Sequence, residues 1–462
     1  MSATFLKSLL GLCLASAALA AGPAESATPA PRAGSVVMPS ALRLALSRTL
    51  ASEHAATGAS APWIEQEVTA SDGASGDVFG FSVAIDGDTA LIGAAEGAAA
   101  PTGTDNGGPG AVYVFKNLPD TGWTEVQKLT ADDGVDNDQF GYSIALQGST
   151  AIIGAAFAAV GSNAHQGAVY VFTLSVDTWM QQQKLVADDG AGSDQLGWSV
   201  ALDGDTAVLG APGVTLAPGF ATGAAYVFTR SGDTWSQAQK LTADDGAAQD
   251  DFGFGVAVHG TTAILTSVNA TVGANAVQGA GYVFSSDGGT WSQVTKLVAD
   301  DGVGGDSLGY AVAFDGTTAV ISAPFATVGA NMFQGAAYAF SAAGGTWAQV
   351  QKIVSPEGQT FDVFGISVTM SGADLLVTAP FYNASQGEAF LFSNPDGSGW
   401  TEQHTFTASD AISGAGWAFG YCGAISAGNV IIGSVFNPSG NNTYQGAGYF
   451  YSPDEIFGNG FE

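Results

Sequence analysis

Aspartates recur along this chain in one loop pattern, Ala-Asp-Asp-Gly-x-x-x-Asp, which occurs in four complete copies. Three carboxylates on a glycine-containing loop offer several of the hard oxygen ligands that calcium prefers. The pattern therefore predicts calcium sites in these loops. The candidate ligands are Asp132, Asp133, Asp138, Asp188, Asp189, Asp194, Asp244, Asp245, Asp250, Asp300, Asp301 and Asp306.

The same aspartates allow a second interpretation. An Asp side chain in a loop accepts hydrogen bonds from nearby backbone N–H groups and so stabilises turns. The loops also lack the alternating ligand spacing of established calcium-binding motifs. Weaker versions of the pattern are Asp72 with Asp77 and Glu357 with Asp362. From the sequence, calcium binding and turn capping both stay open.

Other residue patterns offer less chemistry. Ser82, Ser143, Ser199 and Ser367 lie in Gly-x-Ser-x-Ala segments that are superficially similar to a serine-hydrolase turn. That turn needs a strand-to-helix junction and a histidine partner, and the repeated strands offer neither. We interpret these serines as small residues of crowded strands.

Aromatic residues in the longer loops are a further candidate binding surface. Exposed rings beside carboxylates would form a platform for sugars or peptides, whereas buried rings would only extend the local core. Both alternatives stay open. The residues are Phe157, Phe220, Phe325, Phe333, Phe381, Tyr382, Phe436 and Tyr444.

A repeated unit positions all of these residues. Tryptophan occurs at 63, 123, 179, 235, 291, 347 and 400, and each one opens a similar segment. A fixed period of this length indicates one supersecondary unit copied many times. Each unit contains an alternating strand that begins Phe-Gly or Leu-Gly, a turn such as Asp203-Gly204, two further strands and the Trp strand. The pattern predicts four short antiparallel strands per unit.

The phase of the Trp strand decides between a ring and an open solenoid. Its first copy, at Trp63, precedes every other strand, and no Trp strand follows the last aromatic strand at Gly446–Tyr451. The Trp63 strand would therefore complete the last sheet from the other end of the chain. We predict an all-β fold, a seven-bladed β-propeller of four-stranded antiparallel blades, closed by this strand. A solenoid would need polar capping units, and none is visible.

The rest of the chain predicts export. Residues 1–20 have the positive start, short apolar core and Ala-Leu-Ala cleavage pattern of a signal peptide, with cleavage near Ala20. We expect an Ala/Pro-rich linker at 21–60, the propeller at 61–451 and a tail at 452–462. Cleavage would leave Cys422 alone, which excludes an intramolecular disulfide. We therefore predict secretion to the periplasm, the cell surface or the medium.

Composition narrows the partners. The chain has 42 acidic and 11 basic side chains, a formal net charge of −31. Such a surface repels nucleic acid and anionic lipid, because both require cationic patches. No segment after the predicted signal is apolar enough to enter a membrane. We expect a monomer whose partner is an extracellular protein or a glycan.

The repeat resembles a known family. Leu196-Gly197 with Gly210-Ala211-Pro212, and Phe364-Gly365 with Thr378-Ala379-Pro380, are similar to the FG-GAP repeat of integrin-alpha-like β-propellers. The resemblance covers about residues 63–451 and is nearest to a bacterial secreted type. It implies a propeller fold and a role in adhesion. The calcium loop of the integrin type has shrunk to turns such as Asp203-Gly204-Asp205, so the resemblance implies no metal there.

Two functions follow as expectations. The first is a secreted, non-catalytic binding or adhesion propeller that uses its acidic loops, with calcium as the candidate cofactor. The second is a polysaccharide-acting hydrolase or lyase, because such enzymes need two carboxylates at a defined separation. No pair of acids stands out from the repeat, so the binding function is favoured. We expect specificity where the copies differ.

Overall fold

A computed structural model describes residues 63–96, 108–216, 220–342, 345–411, 418–438 and 442–453. The chain divides into two compact units. Residues 67–450 form the larger unit. Of the smaller one, 1–66 with 451–462, the described residues are 63–66 and 451–453. The predicted signal peptide, the linker and most of the predicted tail lie outside the described residues. Those boundaries stay predictions.

Twenty-eight strands in the described residues form seven four-stranded sheets, which we call blades 1 to 7. Blade 1 contains β2 (Phe79–Asp86), β3 (Thr89–Ala94), β4 (Ala111–Leu118) and β5 (Gly122–Leu129). Blade 2 contains β6 (Ser143–Gln147), β7 (Thr150–Ala155), β8 (Ala168–Ser175) and β9 (Thr178–Leu185). Blade 3 contains β10 (Val200–Asp203), β11 (Thr206–Ala211), β12 (Ala224–Ser231) and β13 (Thr234–Leu241).

The later blades repeat this order. Blade 4 contains β14 (Phe252–His259), β15 (Thr262–Ser267), β16 (Ala280–Asp287) and β17 (Thr290–Leu297). Blade 5 contains β18 (Val312–Phe314), β19 (Thr318–Ala323), β20 (Ala336–Ser341) and β21 (Ala348–Ile353). Blade 6 contains β22 (Val368–Ser371), β23 (Asp374–Ala379), the short helix α1 (Tyr382–Ser385), β24 (Glu388–Ser393) and β25 (Thr401–Phe406).

Blade 7 joins the two ends of the described chain. It contains β26 (Phe419–Ser426), β27 (Asn429–Ser434), β28 (Ala447–Pro453) and β1 (Trp63–Val68), in the order β1-β28-β27-β26. The innermost strand of every blade contacts the innermost strands of the blades on either side, and β26 contacts β2. The prediction of a seven-bladed propeller closed by the Trp63 strand is confirmed.

Antiparallel pairing gives the blades two different faces. The tight turns between the first and second strands, and between the third and fourth, lie on one face; Gly148 and Gly204 there have φ near 56°. The connections between the second and third strands, and those between blades, lie on the other. We call this second surface, which includes residues 156–167 and 186–195, the loop face. All the acidic loops belong to it.

The hydrophobic core lies between neighbouring blades. One cluster combines Ile152 and Val171 of blade 2 with Leu209, Phe228 and Trp235 of blade 3. The glycine that precedes each third strand permits the close approach. Gly167 has φ 81°, and a Cβ there would lie 2.2 Å from the Leu196 carbonyl oxygen of the next blade. No helix within the described ranges is long and apolar enough to cross a membrane.

Candidate functional site

The third aspartate of each acidic loop caps a turn. Asp138 is buried, and its Oδ2 accepts a hydrogen bond from the Val135 backbone N–H at 3.0 Å. Burial raises the pKa of the Asp138 carboxyl, against the opposing effect of these backbone hydrogen bonds. The same cap occurs in five other loops. Its carboxylates are Asp77, Asp194, Asp250, Asp306 and Asp362.

The second aspartate holds its loop on the blade that follows. Asp133 Oδ2 pairs with Lys184 Nζ at 2.6 Å, and Asp133 Oδ1 accepts a hydrogen bond from the Tyr170 hydroxyl at 2.8 Å. Burial acts to raise the pKa of Asp133, but these two partners outweigh it and hold the pKa below its ordinary value. Four other lysine–aspartate pairs have the same geometry. They are Lys128–Asp72, Lys240–Asp189, Lys296–Asp245 and Lys352–Asp301.

The first aspartate contributes through its backbone. The Asp132 N–H donates to Gln181 Oε1 at 3.0 Å, and Gln181 belongs to the outer strand of blade 2. The Asp132 side chain is exposed on the loop face. Equivalent bonds join Asp188 to Gln237, Asp244 to Gln293 and Asp300 to Gln349.

These contacts determine which carboxylate oxygens are left to bind calcium. The second carboxylate already holds a lysine and the third already caps a turn, so the exposed first carboxylate is the oxygen donor that remains on the surface. Within the described ranges, no group of three or more His, Cys, Asp and Glu side chains is placed to hold a metal. Calcium needs six to eight oxygens. The residues as arranged do not supply that shell, and calcium binding stays a prediction that requires rearrangement.

The serines of the inner strands form contacts between blades. Ser82 Oγ donates to the Gly141 carbonyl oxygen at 2.6 Å, and Ser143 Oγ donates to that of Gly197 at 2.8 Å. In blade 7 the same position is Cys422, whose Sγ lies 3.0 Å from the Gly80 carbonyl oxygen. This geometry agrees with the interpretation of small structural residues.

A ring of aromatic side chains surrounds the propeller axis where the inner strands begin on the loop face. The residue after each Phe-Gly or Leu-Gly pair is aromatic in six of the seven blades. Centroids of neighbouring rings are 4.9–5.4 Å apart, and their planes differ by 41–52°. That angle is close to one seventh of a turn, about 51°, so each ring has a similar orientation to the axis. We call these residues the axial ring: Phe81, Tyr142, Trp198, Phe254, Tyr310 and Tyr421.

All six side chains of the axial ring are partly exposed. They still lie deep enough for burial to act on the pKa of their tyrosines. Burial raises the pKa of Tyr310 to about 12. The pKa of Tyr142 is raised well above its ordinary value by burial and then by the charges of Tyr421 and Tyr310. In blade 6 the equivalent residue is Ile366, which interrupts the ring.

The comparison with protein families identifies the repeat. A family described as the FG-GAP repeat matches residues 63–115, 123–172, 179–228, 235–284, 291–340 and 347–392. These segments cover more than half of the chain. The chain belongs to the FG-GAP repeat family. A search of curated proteins found no significant match.

The sixth FG-GAP repeat departs from the others at the second aspartate. Its equivalent is Glu357, while Phe390 and Thr405 occupy the positions of the tyrosine and the lysine. A new acid, Glu388, begins β24 where Ala168 begins β8. Burial first, and then Asp362, Glu402 and Glu357, raise the pKa of Glu388 to about 7. We call Glu357, Asp362, Glu388 and Glu402 the acidic quartet.

The loop aromatics predicted from the sequence fall into two groups. Phe157 contacts Tyr142 and Trp198 of the axial ring at centroid distances of 5.7 and 6.4 Å, so it extends that ring. Tyr382 is buried beside Phe390, whereas Phe220 is 59% exposed. Exposed and buried rings therefore both occur among these loop aromatics, and a binding platform stays a prediction.

Sequence reasoning named Glu357 and Asp362 as a weaker acidic loop, but it missed the axial ring, Glu388, Glu402 and the exposed Phe361. The signal for the ring was an aromatic residue at the same position of six FG-GAP repeats. The signal for Glu388 and Phe361 was a departure from the repeat consensus at positions that are otherwise small or polar. Aligning the copies column by column would have found both.

Proposed function

We propose that this protein is a secreted or cell-surface binding and adhesion propeller that uses its loop face without catalysis. The supporting observation is the axial ring. Six aromatic side chains are partly exposed at the centre of the loop face, where a globular protein would otherwise bury them. A strongly acidic chain around aromatic faces favours an apolar or positively charged group of the ligand.

The regular acidic loops support binding over hydrolysis. Their second and third carboxylates are engaged in ion pairs and turn caps, so they are not available as an acid and base on either side of a substrate. They hold each loop in shape on the blade that follows it. A rigid scaffold with variable connections on one face is typical of binding proteins.

One observation favours the alternative, a polysaccharide-acting hydrolase or lyase. Glu388 is a non-repeated acid whose pKa is raised to about 7, as a general acid requires. Incubating the protein with polysaccharides and measuring new reducing ends or unsaturated products tests this function. Activity that Glu388→Gln abolishes would establish it.

The binding function is tested by a screen of the full mature chain against immobilised glycans and extracellular matrix proteins. We expect Trp198→Ala to weaken binding about tenfold, because it removes the only tryptophan of the axial ring. Val176→Ser is the matched control, since Val176 is 93% exposed on the opposite face. Equal affinity of Trp198→Ala and the wild type would contradict the proposal, as would the absence of any ligand.

Calcium dependence remains a prediction, and it requires a rearrangement of the acidic loops. The Asp189 carboxylate would have to leave Lys240, 2.7 Å away, to join the exposed Asp188 at an ion. Calorimetric titration of calcium into the chelator-treated protein measures this. Heat of binding with a raised melting temperature would support calcium, and neither effect would remove it.

The predicted location follows from the same proposal. Cleavage near Ala20 would release a monomeric mature chain with a strong negative charge outside the cytoplasm. Mass spectrometry of the mature N-terminus, together with fractionation of the producing cells, tests secretion. A cytoplasmic protein that retains residues 1–20 would overturn it.

A further inference from the structure

A line of aromatic side chains runs outward from the axial ring between blades 5 and 6. Tyr310 contacts Phe325 at a centroid distance of 6.0 Å, Phe325 contacts Phe333 at 6.0 Å, and Phe333 contacts Phe361 at 5.6 Å. The line ends in solvent, because Phe361 is 57% exposed. Met332 lies beside it and is 53% exposed; its carbonyl oxygen accepts a hydrogen bond from the Phe361 N–H at 2.9 Å. We call these five residues the radial strip.

The outer part of the radial strip is specific to this junction. The Ser193 N–H donates to the Ala164 carbonyl oxygen at 2.9 Å, which shows that Ser193 and Ala164 are the counterparts of Phe361 and Met332. The position of the small residue Ala164 thus holds Met332, and the position of the polar residue Ser193 holds Phe361. Both large apolar side chains remain exposed. No contribution to the core explains the exchange.

The backbone conformation of Phe361 is unfavourable for a phenylalanine. Phe361 has φ 71°, in the left-handed region that bulky residues disfavour. Its counterparts in other loops include Asn137, Ser193 and Gln249, each with φ 70°. Asn tolerates this conformation best among them, because its short side chain bonds the local backbone. Phe361 therefore presents an aromatic ring to solvent at a backbone position that is unfavourable for it.

The acidic quartet lies beside the radial strip and lacks the usual cation. Glu357 and Asp362 belong to the same loop as Phe361, Glu388 begins β24 and Glu402 lies on β25. Burial and then the charges of the other three raise the pKa of Glu388. In blades 1 to 5 a lysine of the outer strand neutralises this region, but here that residue is Thr405. Within the described ranges, no ion pair includes a member of the quartet.

We propose that the radial strip and the acidic quartet bind an extended segment of an extracellular protein that carries an aliphatic or aromatic side chain next to lysine or arginine. The apolar side chain would pack on Phe361 and Met332, and the cation would replace the missing lysine. Carboxylates without a cation repel anionic glycans and attract a cationic side chain, which favours a basic peptide segment. This inference rests on the proposed binding function and names the partner chemistry of one part of the loop face.

The experiment is a selection of random dodecapeptides, displayed on phage, on the immobilised full mature chain. We expect the selected peptides to combine a basic residue with a neighbouring apolar one. Their synthetic versions should bind at least about tenfold more weakly to Met332→Ala/Phe361→Ser, which restores the counterparts found in blades 2 and 3. Glu357→Gln/Glu402→Gln should weaken binding and reduce its dependence on salt.

The controls keep folding apart from binding. Met332→Ala/Phe361→Ser should melt no lower than the wild type, since serine tolerates the left-handed conformation better than phenylalanine does. Phe220→Ser is the matched control, because Phe220 is a comparably exposed phenylalanine of the same face in blade 3. It should leave peptide affinity unchanged.

The inference fails if the selected peptides lack basic residues. It also fails if they bind Met332→Ala/Phe361→Ser or Glu357→Gln/Glu402→Gln as tightly as the wild type, or if Phe220→Ser causes an equal loss. If the peptides depend on Trp198 but not on Phe361, the proposed binding function survives and only this inference fails. If neither peptides nor the screened glycans and matrix proteins bind, both fail. A glycan whose binding requires Phe361 would replace the protein partner.

Discussion

The loop before blade 3 and the loop before blade 6 occupy equivalent places in the repeat but have different chemistry. Before blade 3, Asp189 pairs with Lys240 and accepts the Tyr226 hydroxyl. Before blade 6, these three positions hold Glu357, Thr405 and Phe390, and a further acid is added nearby. The first loop uses its charges to anchor itself to blade 3. The second loop leaves negative charge without a lysine partner and an aromatic side chain in solvent. This arrangement does not stabilise the fold and favours the binding of a partner.

This difference teaches where function resides in a repeated fold. A residue that recurs in every blade serves the packing of blade on blade, because every junction has the same geometric need. A residue that departs from the repeat and is unfavourable for local stability needs another reason. Glu388 and Phe361 both meet this description.

The largest expected effect comes from removing the frame that carries both loops. Deleting residues 63–68 removes β1 and leaves β28 as an unpaired edge in blade 7. We expect a loss of more than about 3 kcal/mol in the free energy of unfolding, because an outer strand and its share of the core disappear. Chemical denaturation measures it. A truncated chain that unfolds like the intact one would show that ring closure contributes little.

The next effect compares the same substitution in the two loops. Asp194→Ala removes the acceptor 2.7 Å from the Ala191 N–H, and a partly buried turn loses its cap. We expect a loss of about 2 kcal/mol. Asp362→Ala removes the corresponding cap but also relieves repulsion within the acidic quartet, so its loss should be smaller. Equal losses, measured by thermal denaturation at pH 8, would argue that the quartet carries no repulsion.

The third effect depends on pH. The pKa of Glu388 is about 7 in the folded protein, against an ordinary value of 4.5. The unfolded chain therefore loses this proton first, and the free energy of unfolding falls as pH rises from about 4.5 to 7. We expect Glu388→Ala to stabilise the protein at pH 8 by about 1–2 kcal/mol, since solvent screens a half-buried carboxyl, and not at pH 4.

The control for this effect introduces a glutamate at the equivalent position of blade 2, which follows the repeat. Ala168 is fully buried at the equivalent position of blade 2, so Ala168→Glu should destabilise the protein strongly at pH 8. If Glu388→Ala gives the same change at pH 4 and pH 8, ionisation is not the cause and packing must be.

The smallest expected effect exchanges the cations of the two loops. Lys240→Met should cost less than about 1 kcal/mol, because the Asp189 side chain is 53% exposed and its ion pair is screened. Thr405→Lys should gain a similar amount by giving Glu357 its missing partner, and it should also weaken the binding of basic peptides. Melting temperatures at low and high salt test both. A destabilising Thr405→Lys would show that the quartet cannot accept a lysine.

Much of the fold was predictable because its signals are local. Trp63 to Trp400, the Asp-Gly turns and the phase of the Trp strand predicted the strands, the seven blades and the closure. The candidate site was predictable only in part. The acidic loops were recognised, but the roles of their three aspartates depend on partners such as Gln181 and Lys184, which lie about fifty residues further along the chain.

The amino-acid sequence by itself determined the repeat, its period and the order of its strands, since alternation and turn residues act over a few positions. Only the tertiary structure decided which side chains meet. Closing seven blades brings Tyr142, Trp198 and Phe254, each about fifty-six residues from the next, into contact around one axis. The same closure sets Phe361 beside Phe333 and the acidic quartet beside both. A periodic sequence specifies the blades. Which of the residues that depart from the repeat lie close together is decided only when the blades pack into a ring.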